Sequence, residues 1–100
     1  MAKRKVKAAV EFLERCLREG GVTPSKIILF GSQAKGKAAK ESDIDVVIIS
    51  EDFRNKDIFE RAAMTKDAEI RTLKKFMIPL DIVTLTPKEN NSSLIAAYAR

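Results

Sequence analysis

The run IILFGSQAKGKAAKESDIDVVIIS, residues 27–50, decides how this chain folds. It opens on a short strand rich in β-branched residues, which Gly31 ends. A Gly31-Ser32 turn and a basic, small-residue connection follow, and Ser42-Asp43-Ile44-Asp45 leads into a second apolar strand. The unbroken run Val46–Ile49 predicts burial on both faces, and so a central place in a sheet.

Asp43 and Asp45 stand two apart at the entry to that strand. Alternate side chains of a strand share a face, so both carboxylates point the same way, with Cα atoms about 6–7 Å apart. Two like charges converging beside a buried strand repel and resist desolvation. A divalent cation removes that cost, and oxygen-only ligation suits Mg²⁺. Asp81 is the third candidate. It is second in Leu80-Asp81-Ile82-Val83, where a lone charge is expensive unless paired or ligated. If the third strand lies beside the second, Asp81 reaches the same face. Three carboxylates there predict a two-metal phosphoryl-transfer site, with Asp81 placed to orient or deprotonate an attacking hydroxyl. Gly31 lets the backbone approach an anion closely. Successive N–H groups and the Ser32 hydroxyl then suit phosphate oxygens, and Lys35 and Lys37 add positive charge.

Each piece has a plainer reading. Gly-Ser after a strand is often only a turn, Ser42-Asp43 can cap a helix, and Asp81 can pair with a lysine. The joint pattern is more specific than its parts. Residues 31–37 also match the opening of a P-loop, G-x-x-x-x-G-K-[ST], but Ala38 stands where a Mg²⁺-binding hydroxyl is required. A P-loop opens a full helix, whereas the next strand here begins within six residues.

Working outward, Val6, Ala9, Val10, Leu13 and Leu17 predict an amphipathic helix over residues 3–19, stopped at Gly20-Gly21. Residues 57–76 predict the longest helix, with Asp57 as N-cap and Phe59, Ala63, Ile70, Leu73 and Met77 as its buried stripe. Residues 80–85 form the third strand. Thr86-Pro87-Lys88-Glu89 then starts a last helix, with Thr at the cap, Pro at the first position and Glu three residues after the cap. That helix runs on into Leu94, Ile95 and Tyr98. Alternating elements of this kind predict one α/β domain over residues 1–100.

Composition removes several chemistries. The chain has no histidine and one cysteine, Cys16. Histidine-ligated zinc and Ser-His-Asp catalysis are therefore excluded, as is an internal disulfide. The longest apolar runs are far too short to span a membrane, and the basic N-terminus lacks a signal peptide's apolar segment. A cytoplasmic protein is expected. The net charge of +5 suits a polyanion such as a nucleoside triphosphate, or simply a solvated surface. Nucleic acid is disfavoured as a partner, because only Phe12 lies near the basic Lys3–Lys7 segment and base stacking has little support.

Gly31-Ser32, ten residues, Asp43-x-Asp45 and a later strand aspartate together resemble the nucleotidyltransferase signature of the DNA polymerase β superfamily. Length and element order resemble its stand-alone minimal nucleotidyltransferases. The resemblance implies a small mixed three-stranded sheet packed with helices, in the order α-β-α-β-α-β-α. It implies transfer of AMP from ATP to an acceptor hydroxyl, with release of pyrophosphate and dependence on two Mg²⁺ ions. Asp43, Asp45 and Asp81 match the metal-binding and catalytic carboxylates, and Gly31 and Ser32 match the phosphate-binding turn. Many small members are antitoxins of helical HEPN toxins, and some attach AMP to a toxin tyrosine. A HEPN-type partner, and a hetero-oligomer with it, are implied in the same way. Gln33 and Lys35 stand where relatives often carry arginine. The alternative is an antitoxin with weak or no catalysis that acts as a binding module, by stoichiometric contact.

Overall fold

The computed structural model describes residues 3–30 and 44–91. Helix α1, Lys3–Glu19, leads into strand β1, Lys26–Phe30. Strand β2, Ile44–Ile49, is followed by a 3-10 turn at Glu51–Phe53, helix α2 at Ile58–Phe76, strand β3 at Leu80–Leu85 and the short helix α3 at Pro87–Asn90. The small helical turn expected between the first two strands, and the expected run of the last helix through Leu94, Ile95 and Tyr98, lie outside the described residues.

The sheet is ordered β1-β2-β3, so β2 is central, as its apolar run predicts. β1 pairs with β2 antiparallel, from Lys26 opposite Ile49 to Phe30 opposite Asp45. β3 pairs with β2 parallel, from Ile44 beside Leu80 to Ile49 beside Leu85. The sheet is therefore mixed. The Ile44 N–H donates to the Pro79 carbonyl at 2.9 Å and the Ser50 N–H to the Leu85 carbonyl at 2.9 Å. These two bonds pin the parallel register at both ends.

Strand alternation separates two apolar faces. One carries Ile44, Val46, Ile48 and Leu80 and packs with α1 through Leu13 and Leu17, with α2 through Ala68, and with Phe53 of the 3-10 turn. The other gathers Val47 and Ile49 with Ile28, Phe30, Val83 and Leu85. α1 buries Val6, Ala9, Leu13, Cys16 and Leu17. It ends where Gly21 takes φ +93°, a left-handed conformation that glycine adopts without a Cβ penalty.

α2 lies the other way round from the reading of its sequence. Phe59, Ile70, Leu73 and Met77 are exposed, and Thr65, Ala68 and Thr72 face the core. Two threonines can be buried because each bonds its own helix backbone. The Thr72 hydroxyl donates to the Ala68 carbonyl at 2.8 Å, and the Thr65 hydroxyl lies 3.3 Å from the Ala62 carbonyl. Satisfied in this way, they cost little to desolvate. Flanking contacts hold the helix at this rotation. Phe76 meets the Phe12 ring edge-on at 5.8 Å, and Arg71 pairs with Glu19 at 3.0 Å. Both helix starts expected from sequence are present as reciprocal capping boxes, Asp57 with Glu60 and Thr86 with Glu89.

Candidate active site

The sheet brings two of the candidate carboxylates together. Asp45 and Asp81 are direct register partners on the parallel strands β2 and β3, and register partners in a sheet present their side chains to the same face. Neighbouring strands of a sheet lie about 4.8 Å apart, so register partners are within reach of one ion. By alternation both carboxylates share the face of Val47, Ile49, Val83 and Leu85, away from α1 and α2. Asp45 is half-buried and Asp81 exposed. Phe30, at the end of β1, stands opposite Asp45 on its other side, so β1 ends beside the aspartates. Gly31, Ser32, Lys35 and Asp43 lie outside the described residues.

Two hard oxygen donors side by side at one sheet end are the ligand type that a Mg²⁺ ion takes. Among the described residues, Asp45 and Asp81 are the ones that fit such an ion. No group of three acidic or sulfur ligands occurs among them.

Asp81 also borders an open cleft of about 620 Å³ at the edge of β3, whose other lining residues come from that strand, α2, α3 and Lys56. Lys56, Arg61, Thr65, Glu69 and Glu89 contribute polar groups to it. The sequence reading did not single out Lys56 or Arg61. Lys56 sits in what reads as an exposed connection, and a cation just before a helix is its only signal. Arg61 lies on the buried side of α2, where an apolar pattern carries no sign of it. Its guanidinium is already committed: Nε donates to the Lys56 carbonyl at 2.9 Å, and Nη1 to the Thr84 carbonyl at 3.2 Å and to Glu89 Oε1 at 2.8 Å. Arg61 therefore shapes the cleft wall rather than offering it an unengaged charge.

The chain belongs to the nucleotidyltransferase domain family, which matches residues 9–99. It is similar to the protein named "Putative protein adenylyltransferase MJ1305" of Methanocaldococcus jannaschii, with 29% identity over 79 residues. Those residues are 79% of this chain and 53% of that protein, so the chain spans about half the length of this curated relative. Among solved structures it resembles one titled "a putative nucleotidyltransferase from Sulfolobus solfataricus". The TM-score is 0.55 at 19% identity, covering 91% of this chain and 81% of that one. It also resembles BolA1 from Arabidopsis thaliana, with a TM-score of 0.54 at 21% identity over 77% of this chain and 94% of that one. At such identities the likenesses show the fold alone, and a fold by itself does not decide activity.

Proposed function

We propose that this domain moves AMP from ATP to a hydroxyl on a protein and depends on Mg²⁺. The observation that carries the reading is the register pairing of Asp45 with Asp81 at the sheet end where β1 finishes at Phe30. The family supports nucleotidyl transfer, and the relative's printed name supports adenylyl transfer to protein.

In the proposed reaction the acceptor oxygen attacks the α-phosphorus of ATP. The bond to the bridging α–β oxygen breaks, pyrophosphate leaves, and the acceptor proton passes to a carboxylate. Asp81, exposed and bordering the cleft, is the residue assigned to take that proton. Asp45, with Asp43 just before it in sequence, would hold the metal together with Asp81. Mg²⁺, when bound, would neutralise charge developing on the phosphate oxygens. Gly31, Ser32 and Lys35 are assigned to the triphosphate by their place after β1. A HEPN-type toxin as acceptor, an antitoxin role and a cytoplasmic setting complete the reading, and they rest on the resemblance to minimal nucleotidyltransferases.

The test is transfer of label from the α-phosphate of ATP, with Mg²⁺, to a protein encoded beside this one. Labelling that requires Asp45 and Asp81 is expected. Equal labelling by Asp45→Asn would overturn the proposal. A second reading, inhibition by stoichiometric contact without catalysis, is favoured by Gln33, which brings no charge to a phosphate. It predicts that the Asp43, Asp45, Asp81 triple alanine variant still neutralises the partner.

A further inference from the structure

We propose that α2 is a self-association helix through which two copies of this chain pair antiparallel. Phe59, Ala63, Lys66, Ile70, Leu73 and Met77 recur at alternating steps of four and three residues. That spacing is the seam of a coiled coil. The seam faces away from the other described elements: Phe59 is 82% exposed, Leu73 39% and Ile70 38%, and Met77, the left-handed C-cap just past the helix, 77%. The opposite side of the helix supplies the core contacts of Thr65, Ala68 and Thr72. Single exposed apolar residues are ordinary on a protein surface, but a row of three on one helix face, continued by the cap residue, is not. The helix has 19 residues, about 28 Å of continuous seam.

A second copy of the chain is the occupant that the charges favour. Lys66 is the one polar member of the seam. Parallel pairing would set it beside Lys66 of the second copy. Antiparallel pairing about the middle of the helix sets it opposite Ile70 instead, with Asp67 and Glu69 of the second copy within reach of its ammonium group. The same arrangement puts Phe59 against Met77 and the small Ala63 opposite Leu73. On one flank Glu60 meets Lys74 of the second copy, and the symmetry repeats that pair. The two copies of Asp67 come near the axis on that flank and the two copies of Glu69 on the other; Arg71, 3.8 Å from Asp67 and paired with Glu19, and the Lys66 ammonium groups stand among these carboxylates. Antiparallel helix dipoles add to the preference.

Sedimentation equilibrium of the whole chain tests this. A concentration-dependent dimer is expected at micromolar protein. Phe59→Glu and Ile70→Glu should both give monomers with unchanged circular dichroism, melting where dilute monomeric wild type melts and without its rise with concentration, because neither side chain is in the core. Lys66→Leu should tighten the dimer at least about tenfold, since it replaces a polar seam residue with a buried apolar one. Orientation is read by disulfide trapping. In the antiparallel pair the two copies of residue 59 lie about 27 Å apart along the axis. An oxidised mixture of Phe59→Cys and Met77→Cys chains should therefore link to each other, while neither links to itself. Cys16 is buried and does not compete. A wild-type chain that stays monomeric at hundreds of micromolar overturns the proposal, even if α2 captures some other protein. A dimer that survives Ile70→Glu, or Phe59→Cys chains that link to themselves, overturns it equally.

Discussion

Arg61 on α2 grips Glu89 on α3 through two parallel hydrogen bonds, Nη1 to Oε1 at 2.8 Å and Nη2 to Oε2 at 3.2 Å. Glu89 also accepts the Thr86 N–H at 2.8 Å, closing the α3 capping box. Through its bonds to the Lys56 and Thr84 carbonyls, Arg61 ties four segments at the C-terminal end of β3. Its side chain is only 13% exposed, while that of Glu89 is 44% exposed. Loss of the arginine should therefore cost more than loss of the carboxylate charge. Arg61→Ala should destabilise the fold by about 2 kcal/mol and Glu89→Gln by about 1 kcal/mol, after solvent screening of the exposed partner. Arg61→Lys should rescue little, because a lysine cannot make the paired contact. Urea denaturation of the three variants checks the order.

The same pair sets a pH dependence. The Arg61 guanidinium, and then the Thr86 N–H, hold the Glu89 carboxyl below its ordinary value of 4.5. A carboxyl group depressed in the folded state favours folding while it is ionised, so its contribution is full above pH 4.5. That contribution fades as pH falls through the lower folded-state value. Wild type should lose stability below about pH 5 more steeply than Glu89→Gln, and the two melting curves should converge in acid. Parallel curves down to the acid transition would show that Glu89 does not contribute this dependence.

The paired aspartates make a prediction that separates binding from chemistry. Asp81→Asn should lower nucleotidyl transfer by about 10²–10⁴-fold, the usual range for removing a positioned general base. Asp81 is exposed and outside the core, so the fold should persist. Mg²⁺ that binds the folded state should raise the melting temperature of the wild type by mass action. That rise should shrink in Asp45→Asn and in Asp81→Asn. Calorimetry with Mg²⁺ and scanning fluorimetry read this effect without any acceptor. An undiminished Mg²⁺ shift in both variants would remove these residues from the metal site.

Most of the fold could be read from the chain because its signals are local. The bounds of α1 and of all three strands follow from apolar periodicity and from Gly and Pro, and the Asp57 cap and the Thr86–Glu89 capping box from side-chain chemistry within one turn; Glu60 as the partner of Asp57 is seen only in the structure. The pairing of Asp81 with Asp45 is a long-range fact. Sequence could state it only as a condition on β3 lying beside β2. The rotation of α2 was misread for a definable reason: Ile70, Leu73 and Met77 outrank Thr65 and Thr72 in hydropathy, yet the threonines can enter the core by bonding their own helix carbonyls. Apolar spacing identifies a face that seeks burial, but not whether the domain or a partner provides it. Arg61 escaped notice because a buried arginine is intelligible only with Glu89, 28 residues away, in place.

Ser50 makes the last prediction, at the exit of the central strand. It is fully buried, and its hydroxyl donates to the Thr23 carbonyl at 2.8 Å, with Asp52 Oδ2 at 3.2 Å as the second acceptor. The same oxygen accepts the Asp52 N–H at 3.0 Å and so caps the 3-10 turn. Asp52 Oδ2 in turn accepts the Thr23 N–H at 2.7 Å. One hydroxyl thus joins the segment before β1 to the turn after β2 and holds Phe53 over the core. Ser50→Ala would leave the Thr23 carbonyl and the capping Asp52 N–H without this partner, which should cost about 1 kcal/mol. Asp52→Ala removes only the exposed side of the same node and should cost less. Because this node lies at the end of β2 opposite Asp45, Ser50→Ala should lower the melting temperature and leave the Mg²⁺-dependent rise intact. Loss of the Mg²⁺ response in Ser50→Ala would instead mean that the two ends of β2 are coupled through the strand.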